Sequence, residues 1–158
     1  MRTPKTPHLD VDELRELHAA TQVLERLALE HARPFDAAAI GDLRAANRRL
    51  GEVAGHAAKA LIADHQVRGL LTERCRDGRL LALLAEIRFA LLPYRRVAME
   101  SPVRVIGRCD EHEAIIDVVE RAEPALAARL LADSSARELD ALLQILEPAP
   151  SRAPALSS

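Results

Sequence analysis

Apolar residues recur at three- and four-residue steps through most of the chain, and the segment before Pro34 shows the pattern most simply. Asp10 precedes this segment and can accept hydrogen bonds from the free backbone N–H groups of a helix that begins after it. The apolar positions are Leu14, Leu17, Leu24, Leu27 and Ala28. Because this spacing is that of one face of an α-helix, it predicts a first helix that begins after Asp10 and ends before Pro34.

The same spacing predicts five more helices joined by short turns. Asp36 caps the second, Ser101-Pro102 opens the fifth and Glu123-Pro124 opens the sixth. Proline lacks a backbone donor and crowds the preceding turn, so Pro93 predicts a kink in the fourth. The predicted bounds are the following: the second helix ends at Gly51 or Gly55, the third spans 56–74, the fourth 79–101, the fifth 103–121 and the sixth begins at Pro124.

These helices predict an all-α fold, since no run alternates with the two-residue period of a strand. Six helices with short connections favour an antiparallel bundle. We expect one helical domain over residues 9–147. Proline-containing tails are expected at 1–8 and 148–158.

The amino-acid composition limits the classes of protein to which this chain can belong. Apolar residues make up 49% of the chain and aromatic residues 2%, so Leu, Ala, Val and Ile must form the core. The net charge of −2 does not suit autonomous nucleic-acid binding, which needs an excess of basic residues. No apolar run approaches the roughly 20 residues that cross a bilayer. Two separated cysteines and the lack of a secretory signal predict a cytoplasmic protein that does not associate with membranes.

His112 is the first candidate for a site. It precedes Ile115, Ile116 and Val119 by three, four and seven residues, so its side chain is expected to point inward with theirs. An inward histidine is either a hydrogen-bonded core residue or part of a site. Which of these roles applies depends on the residues that surround His112 in the fold.

Three segments together resemble a known family. They read ADHQVRGLL at 63–71, DGRL at 77–80 and EHEAI at 111–115, and the end of the first helix, LALEHA, fits as well. In this order and spacing they resemble the FCD domain, the all-helical effector-binding domain of GntR-type transcription regulators. The resemblance spans about residues 11–146. It does not include the winged helix-turn-helix that precedes this domain in such regulators.

The resemblance implies a cavity in which an aspartate and three histidines hold a divalent metal. The aspartate corresponds to Asp64, and the histidine of the glutamate–histidine pair corresponds to His112. The other two positions are Arg68 and Ser134, and neither suits a metal, because guanidinium offers only donors and a serine hydroxyl is a poor ligand. The metal site is therefore expected to be degenerate, without a cofactor. A zinc or nickel ion remains the alternative.

An arginine at this position suggests a metal-free pocket. Arg68 can pair with Asp64 across one helical turn and supply the positive charge for an acidic ligand. Its alternative role is a structural partner of Asp64. The resemblance also places Arg88 toward the carboxylate of an effector, whereas its alternative is a solvated helix face beside Glu86. Asp64, Arg68, Arg88, His112 and Ser134 are thus the predicted ligand-binding residues.

The other basic clusters are interpreted as solvated faces. They are Arg44, Arg48 and Arg49 on the second helix and Arg95 and Arg96 on the fourth.

No catalytic motif is present: the chain has no nucleophile elbow, no glycine-rich phosphate loop and no pair of histidines four residues apart. We therefore expect no enzyme. The sequence predicts a homodimeric regulatory domain that binds a small carboxylate effector, with no direct contact between this chain and nucleic acid. The alternative is a helical interaction or dimerisation module without a small ligand, followed by a metal-dependent sensor.

Overall fold

The computed structural model describes residues 8–147, which form a bundle of six α-helices. The helices are α1 Val11–Glu30, α2 Ala37–Glu52, α3 Ala57–Thr72, α4 Gly78–Ala98, α5 Pro102–Glu120 and α6 Pro124–Leu146. No β-strand forms within 8–147, and a single isolated bridge pairs Ala32 with Cys75. The predicted all-α bundle is confirmed. The predicted tails lie outside the described residues, apart from His8.

Side-chain caps begin four of the helices. Asp10 accepts hydrogen bonds from the backbone at Asp12 and Glu13, and Asp36 accepts one from Ala39. Asp77 and Ser101 cap α4 and α5 in the same way. Each cap satisfies backbone N–H groups that have no partner within the helix. The predicted starts at Asp10, Asp36 and Ser101-Pro102 are confirmed, and α6 begins at Pro124 as predicted, without a side-chain cap from Glu123.

Two predicted helix ends were too late. α4 continues through Pro93 but ends at Ala98, because Ser101 adopts an extended conformation, φ −97° and ψ 110°, to cap α5. α3 ends at Thr72 rather than at residue 74. The residues that follow pair with the chain after α1: Arg33 N donates to Arg74 O at 2.9 Å, and Arg76 N donates to His31 O at 3.3 Å.

Apolar packing occurs in separate regions of the bundle. α1 packs against α6 and α4, whereas α2 packs against α3 and α5. One apolar cluster includes Leu14, Leu91, Tyr94, Ala98 and Leu142. A larger one includes Leu29, Ile40, Leu43, Val67, Leu71, Ile115, Ile116 and Leu131. α1, α3, α5 and α6 also bury charged side chains, which form the candidate site together with those of α4.

Within residues 8–147, no helix combines the length and the apolar character that crossing a membrane requires.

Candidate functional site

A set of buried ionisable side chains lies inside the bundle, and we call it the charge cluster. It consists of four arginines, three carboxylates and two histidines. They are His18, Glu25, Asp64, Arg68, Arg88, Arg95, Arg108, His112 and Glu138, each at most 8% exposed. Ionised groups are rarely buried without partners, because desolvation disfavours the charged form.

The spacing of core positions places these charges inside. On α1 the buried residues are Leu14, His18, Thr21, Glu25 and Ala28, at steps of four and three residues. On α4 the same steps relate Leu84, Arg88, Leu91, Arg95 and Ala98. The ionisable residues thus share a helix face with apolar core residues, and that face packs against neighbouring helices.

Arg68 contacts all three carboxylates of the cluster. Its Nη1 donates to Glu25 Oε1 at 3.2 Å, and its Nη2 donates to Glu138 Oε2 at 3.3 Å. Its Nε lies 3.4 Å from Asp64 Oδ2, one turn away on α3. Burial lowers the pKa of Arg68, but the carboxylates outweigh burial and raise it above its ordinary value. Arg68 is therefore a permanently charged group that connects α1, α3 and α6.

Arg88 is a second buried cation beside Arg68. Its Nη2 donates to Glu25 Oε1 at 2.8 Å and to the carbonyl oxygen of Arg68 at 3.2 Å. Its Nη1 donates to Thr72 Oγ1 at 3.0 Å. The alternative interpretation of Arg88 as a solvated face is wrong, since only 5% of the residue is exposed.

Asp64 joins the remaining predicted site residues. Its Oδ1 lies 3.6 Å from His112 Nε2 and 3.8 Å from Arg108 Nε. Arg108 Nη1 donates to Ser134 Oγ at 3.5 Å, and Ser134 in turn donates to Glu111. His112 and Ser134 are fully buried. The five residues singled out from the sequence therefore lie in one network, in part through Glu25 and Arg108.

Sequence reasoning missed His18, Glu25, Arg108 and Glu138, and it misplaced Arg95. The interpretation of Arg95 as part of a solvated face is wrong, because Arg95 is 1% exposed and its Nε donates to Glu138 Oε2 at 3.3 Å. Arg48, Arg49 and Arg96 are exposed, as expected. The signal that would have found the buried charges is their spacing of three, four or seven residues from apolar core positions.

Glu138 on α6 contacts three of the four buried arginines. Besides its bonds from Arg68 and Arg95, its Oε1 lies 2.9 Å from Arg108 Nη2. Burial by itself would raise the pKa of Glu138, but Arg108, Arg95 and Arg68 outweigh burial and hold the pKa well below its ordinary range. Glu138 is therefore ionised at neutral pH.

The cluster carries an excess of positive charge. Burial lowers the pKa of both His18 and His112 from 6.5 to about 4, so both imidazoles are neutral at pH 7. Glu25 and Asp64 are ionised, because the arginines outweigh the effect of burial and lower their pKa values. Four guanidinium groups against three carboxylates leave one positive charge.

A cleft of about 190 Å³ reaches one side of the cluster. Its lining comes from α4, α5 and α6 and includes Ala98, Arg108, Glu111, Arg137 and Glu138. At the rim, Arg137 Nε donates to Glu111 Oε1 at 2.7 Å. The cleft gives small molecules an approach to Arg108 and Glu138.

At the position that the resemblance assigns to a divalent metal, the donor set does not fit such an ion. Only Asp64 and His112 carry suitable ligand atoms, whereas Arg68 and Ser134 occupy the other two positions. The guanidinium groups of Arg68 and Arg108 approach the Asp64 carboxylate and repel a cation there. Across residues 8–147, no group of three or more His, Cys, Asp or Glu side chains is arranged to hold a metal.

The comparisons with known proteins identify the family. The model of the FCD domain matches residues 16–136, about three quarters of the chain. The chain belongs to the FCD family. FCD domains are the regulatory, effector-binding domains of GntR-type transcription regulators and are not an enzyme family. Searches of curated proteins and of solved structures found no match.

Proposed function

We propose that this FCD domain senses a small organic acid in the charge cluster, without a metal. The observation that carries the proposal is the excess of buried positive charge among residues that the resemblance assigns to the effector cavity. Burying a cation without a counterion is costly, so an anionic ligand that neutralises the excess gains a favourable interaction in a medium of low dielectric.

We propose Asp64, Arg68, Arg88, His112 and Ser134 as part of the ligand site. Arg68 supplies the charge that a metal would otherwise provide, and Asp64 holds its guanidinium in position. Arg88 adds a second fixed cation, and the neutral His112 offers one ring N–H as a donor. Together these charges and donors favour an acidic ligand over a neutral one.

The position of the cluster between several helices allows ligand binding to change how those helices pack. Its residues come from α1, α3, α4, α5 and α6, so a ligand that changes these ion pairs changes how the helices pack. We further propose that the helical unit is residues 9–147 and that it acts as a cytoplasmic homodimer. The mass of the purified protein by sedimentation equilibrium tests the dimer separately from ligand binding.

Thermal unfolding tests the proposal. The protein is treated with a chelator and unfolded with a panel of small carboxylic acids and their neutral amides, with and without Zn²⁺ or Ni²⁺. A ligand that binds only the folded state stabilises it by about 2.7 kcal/mol at 100 times its Kd. We expect acids to raise the Tm without metal and amides to have no effect. Stabilisation only in the presence of metal contradicts the metal-free site.

The second candidate function is an interaction module without a small ligand. It is favoured by the ion pairing within the cluster, in which each carboxylate already contacts at least one arginine. This candidate predicts that no acid in the panel changes the Tm.

A further inference from the structure

We propose that Arg95 binds the carboxylate of the effector, on the side of the charge cluster formed by α1, α4 and α6, and that the effector carries a single negative charge. This inference rests on the proposed function, namely that the domain binds an organic acid. It places the carboxylate beside Arg95 and His18 rather than beside Asp64.

Arg95 differs from the other arginines of the cluster in its pairing. Among the described residues, neither its Nη1 nor its Nη2 has a hydrogen-bond partner, although both atoms are buried. The terminal nitrogens of Arg68, Arg88 and Arg108 all contact protein oxygens. The two terminal N–H₂ groups of Arg95 therefore present the fork geometry that binds a carboxylate through both oxygens.

Two further polar groups near Glu138 also have no hydrogen-bond partner within 8–147. His18 Nε2 lies 3.8 Å from Glu138 Oε2, the same oxygen that accepts from Arg95 Nε, and neither ring nitrogen of His18 is hydrogen-bonded. The Ser135 hydroxyl, one turn before Glu138 on α6, is likewise buried and unpaired. A neutral imidazole and a hydroxyl each offer one donor, as a carboxylate requires.

The charge balance sets the class of ligand. The cluster holds four guanidinium groups, three carboxylates and two neutral imidazoles, so one negative charge neutralises it. A second negative charge would reverse the excess among the buried carboxylates of Glu25, Asp64 and Glu138. The domain is therefore expected to bind a monocarboxylate more tightly than a dicarboxylate.

The cleft described above approaches the cluster between α4, α5 and α6. Its lining includes Glu138, which Arg95 contacts, and Ala98, three residues after Arg95 on α4.

The test compares binding by wild type, Arg95→Met, Arg95→Lys and a matched control, Arg96→Met, which removes the exposed neighbour of Arg95 on the same helix. The probes are acetate, propionate and lactate, the dicarboxylates malonate and succinate, and propionamide. Calorimetric titration gives Kd, and circular dichroism verifies folding. We expect Arg95→Met to weaken monocarboxylate binding about 10- to 100-fold, the loss of a charge-assisted pair. Arg95→Lys should retain part of the affinity, and Arg96→Met should retain all of it.

The outcomes separate this inference from the proposed function. If no acid binds wild type, the proposed function fails and this inference fails with it. If monocarboxylates bind wild type and Arg95→Met equally, the placement at Arg95 is overturned while acid sensing stands. Malonate or succinate binding more tightly than propionate overturns the single-charge assignment. If Arg95→Met does not fold, Arg95→Lys is compared with wild type instead. A partial loss of monocarboxylate affinity in Arg95→Lys supports the fork contact, and an unchanged Kd overturns it.

Discussion

Arg68 Nε lies 3.4 Å from Asp64 Oδ2 across one turn of α3, and neither side chain is more than 1% exposed. The resemblance to FCD domains places a metal-binding histidine at position 68. In this chain a guanidinium brings a fixed positive charge to the same carboxylate and extends to Glu25 and Glu138 as well. One side chain thus compensates three buried carboxylates, and the stability of the folded domain should depend on it.

Arg68→Met should lower the free energy of unfolding by about 3–5 kcal/mol, because it leaves buried carboxylates without their shared cation. Urea denaturation monitored by circular dichroism measures the change. Arg48→Met is the matched control, since Arg48 is exposed on α2 and its loss should change stability by less than about 0.5 kcal/mol.

Arg95→Met should behave differently from Arg68→Met in the same experiment. It removes one hydrogen bond to Glu138, but it also removes the excess buried cation, and Arg68 and Arg108 still pair with Glu138. We expect a change within about 1 kcal/mol in either direction. A loss of unfolding free energy as large as that of Arg68→Met would show that Arg95 serves as a structural ion-pair partner of Glu138.

Stability should fall as the pH decreases from 6.5 towards 4. The unfolded chain binds protons at His18 and His112 near pH 6.5, whereas burial holds the folded pKa of each at about 4. The unfolded state therefore binds more protons in this window, and acidification costs up to about 3 kcal/mol per histidine. The lowered pKa values of the buried carboxylates add to the loss only below their unfolded values near 4.

Urea denaturation at pH 7.0, 6.0 and 5.0 measures this slope. His112→Asn should flatten it, because one of the two suppressed protonations is removed. His56→Gln provides the control, since His56 is exposed at the start of α3 and forms no side-chain cap hydrogen bond. Equal slopes for His112→Asn and wild type would exclude His112 as a source of the pH dependence.

The helix starts were predictable from sequence because capping is local chemistry. Asp10, Asp36 and Ser101 each satisfy backbone groups within three residues. The burial of Arg95 was not predicted, because the residue that stabilises it, Glu138, lies 43 positions away on another helix. Its adjacency to Arg96 suggested a solvated face, whereas its four-residue step from Leu91 placed it in the core.

Only part of the charge cluster was predicted from the sequence. Asp64, Arg68 and His112 were found from the order of short segments that resemble FCD domains, and the structure buries all three. Glu25 and His18 belong to no such segment. They are recognisable only as charged residues at core positions of α1, and their partners become evident only when the helices pack together.

Arg44 provides a contrast to the buried arginines. From α2 it contacts three acids on α5: its Nη2 lies 3.0 Å from Asp117 Oδ1 and 2.6 Å from Glu120 Oε2, and its Nη1 contacts Glu113. These carboxylates are 44–54% exposed, so solvent weakens the interaction.

Arg44→Ala should therefore cost less than about 1 kcal/mol, and the difference from wild type should shrink in about 1 M NaCl, where the Debye length is near 3 Å. Urea denaturation at low and high salt measures both effects, with Arg48→Ala as the control for loss of a solvated arginine on the same helix. A cost that is unchanged by salt would indicate packing of the Arg44 stem rather than charge.

Restoring the family's ligands should restore metal binding. The double variant Arg68→His/Ser134→His supplies two imidazoles to a site that already has Asp64 and His112, and it removes the guanidinium next to the carboxylate. Asp64 and position 68 are one helical turn apart, so their side chains share a face of α3 and can bind the same ion. We expect Zn²⁺ or Ni²⁺ to raise the Tm of the chelator-treated double variant and to leave the wild-type Tm unchanged.

The double variant also loses the cation that compensates the buried carboxylates, so its apo form should be destabilised. Recovery of helical circular dichroism on addition of Zn²⁺ then serves as the measurement, since metal binding and folding are coupled. Adding Asp64→Ala to the double variant is the control, because removing one of the four ligands should abolish most of the response. Equal stabilisation of wild type and double variant by Ni²⁺ would mean that Arg68 does not exclude the metal, and the metal-free site would have to be abandoned.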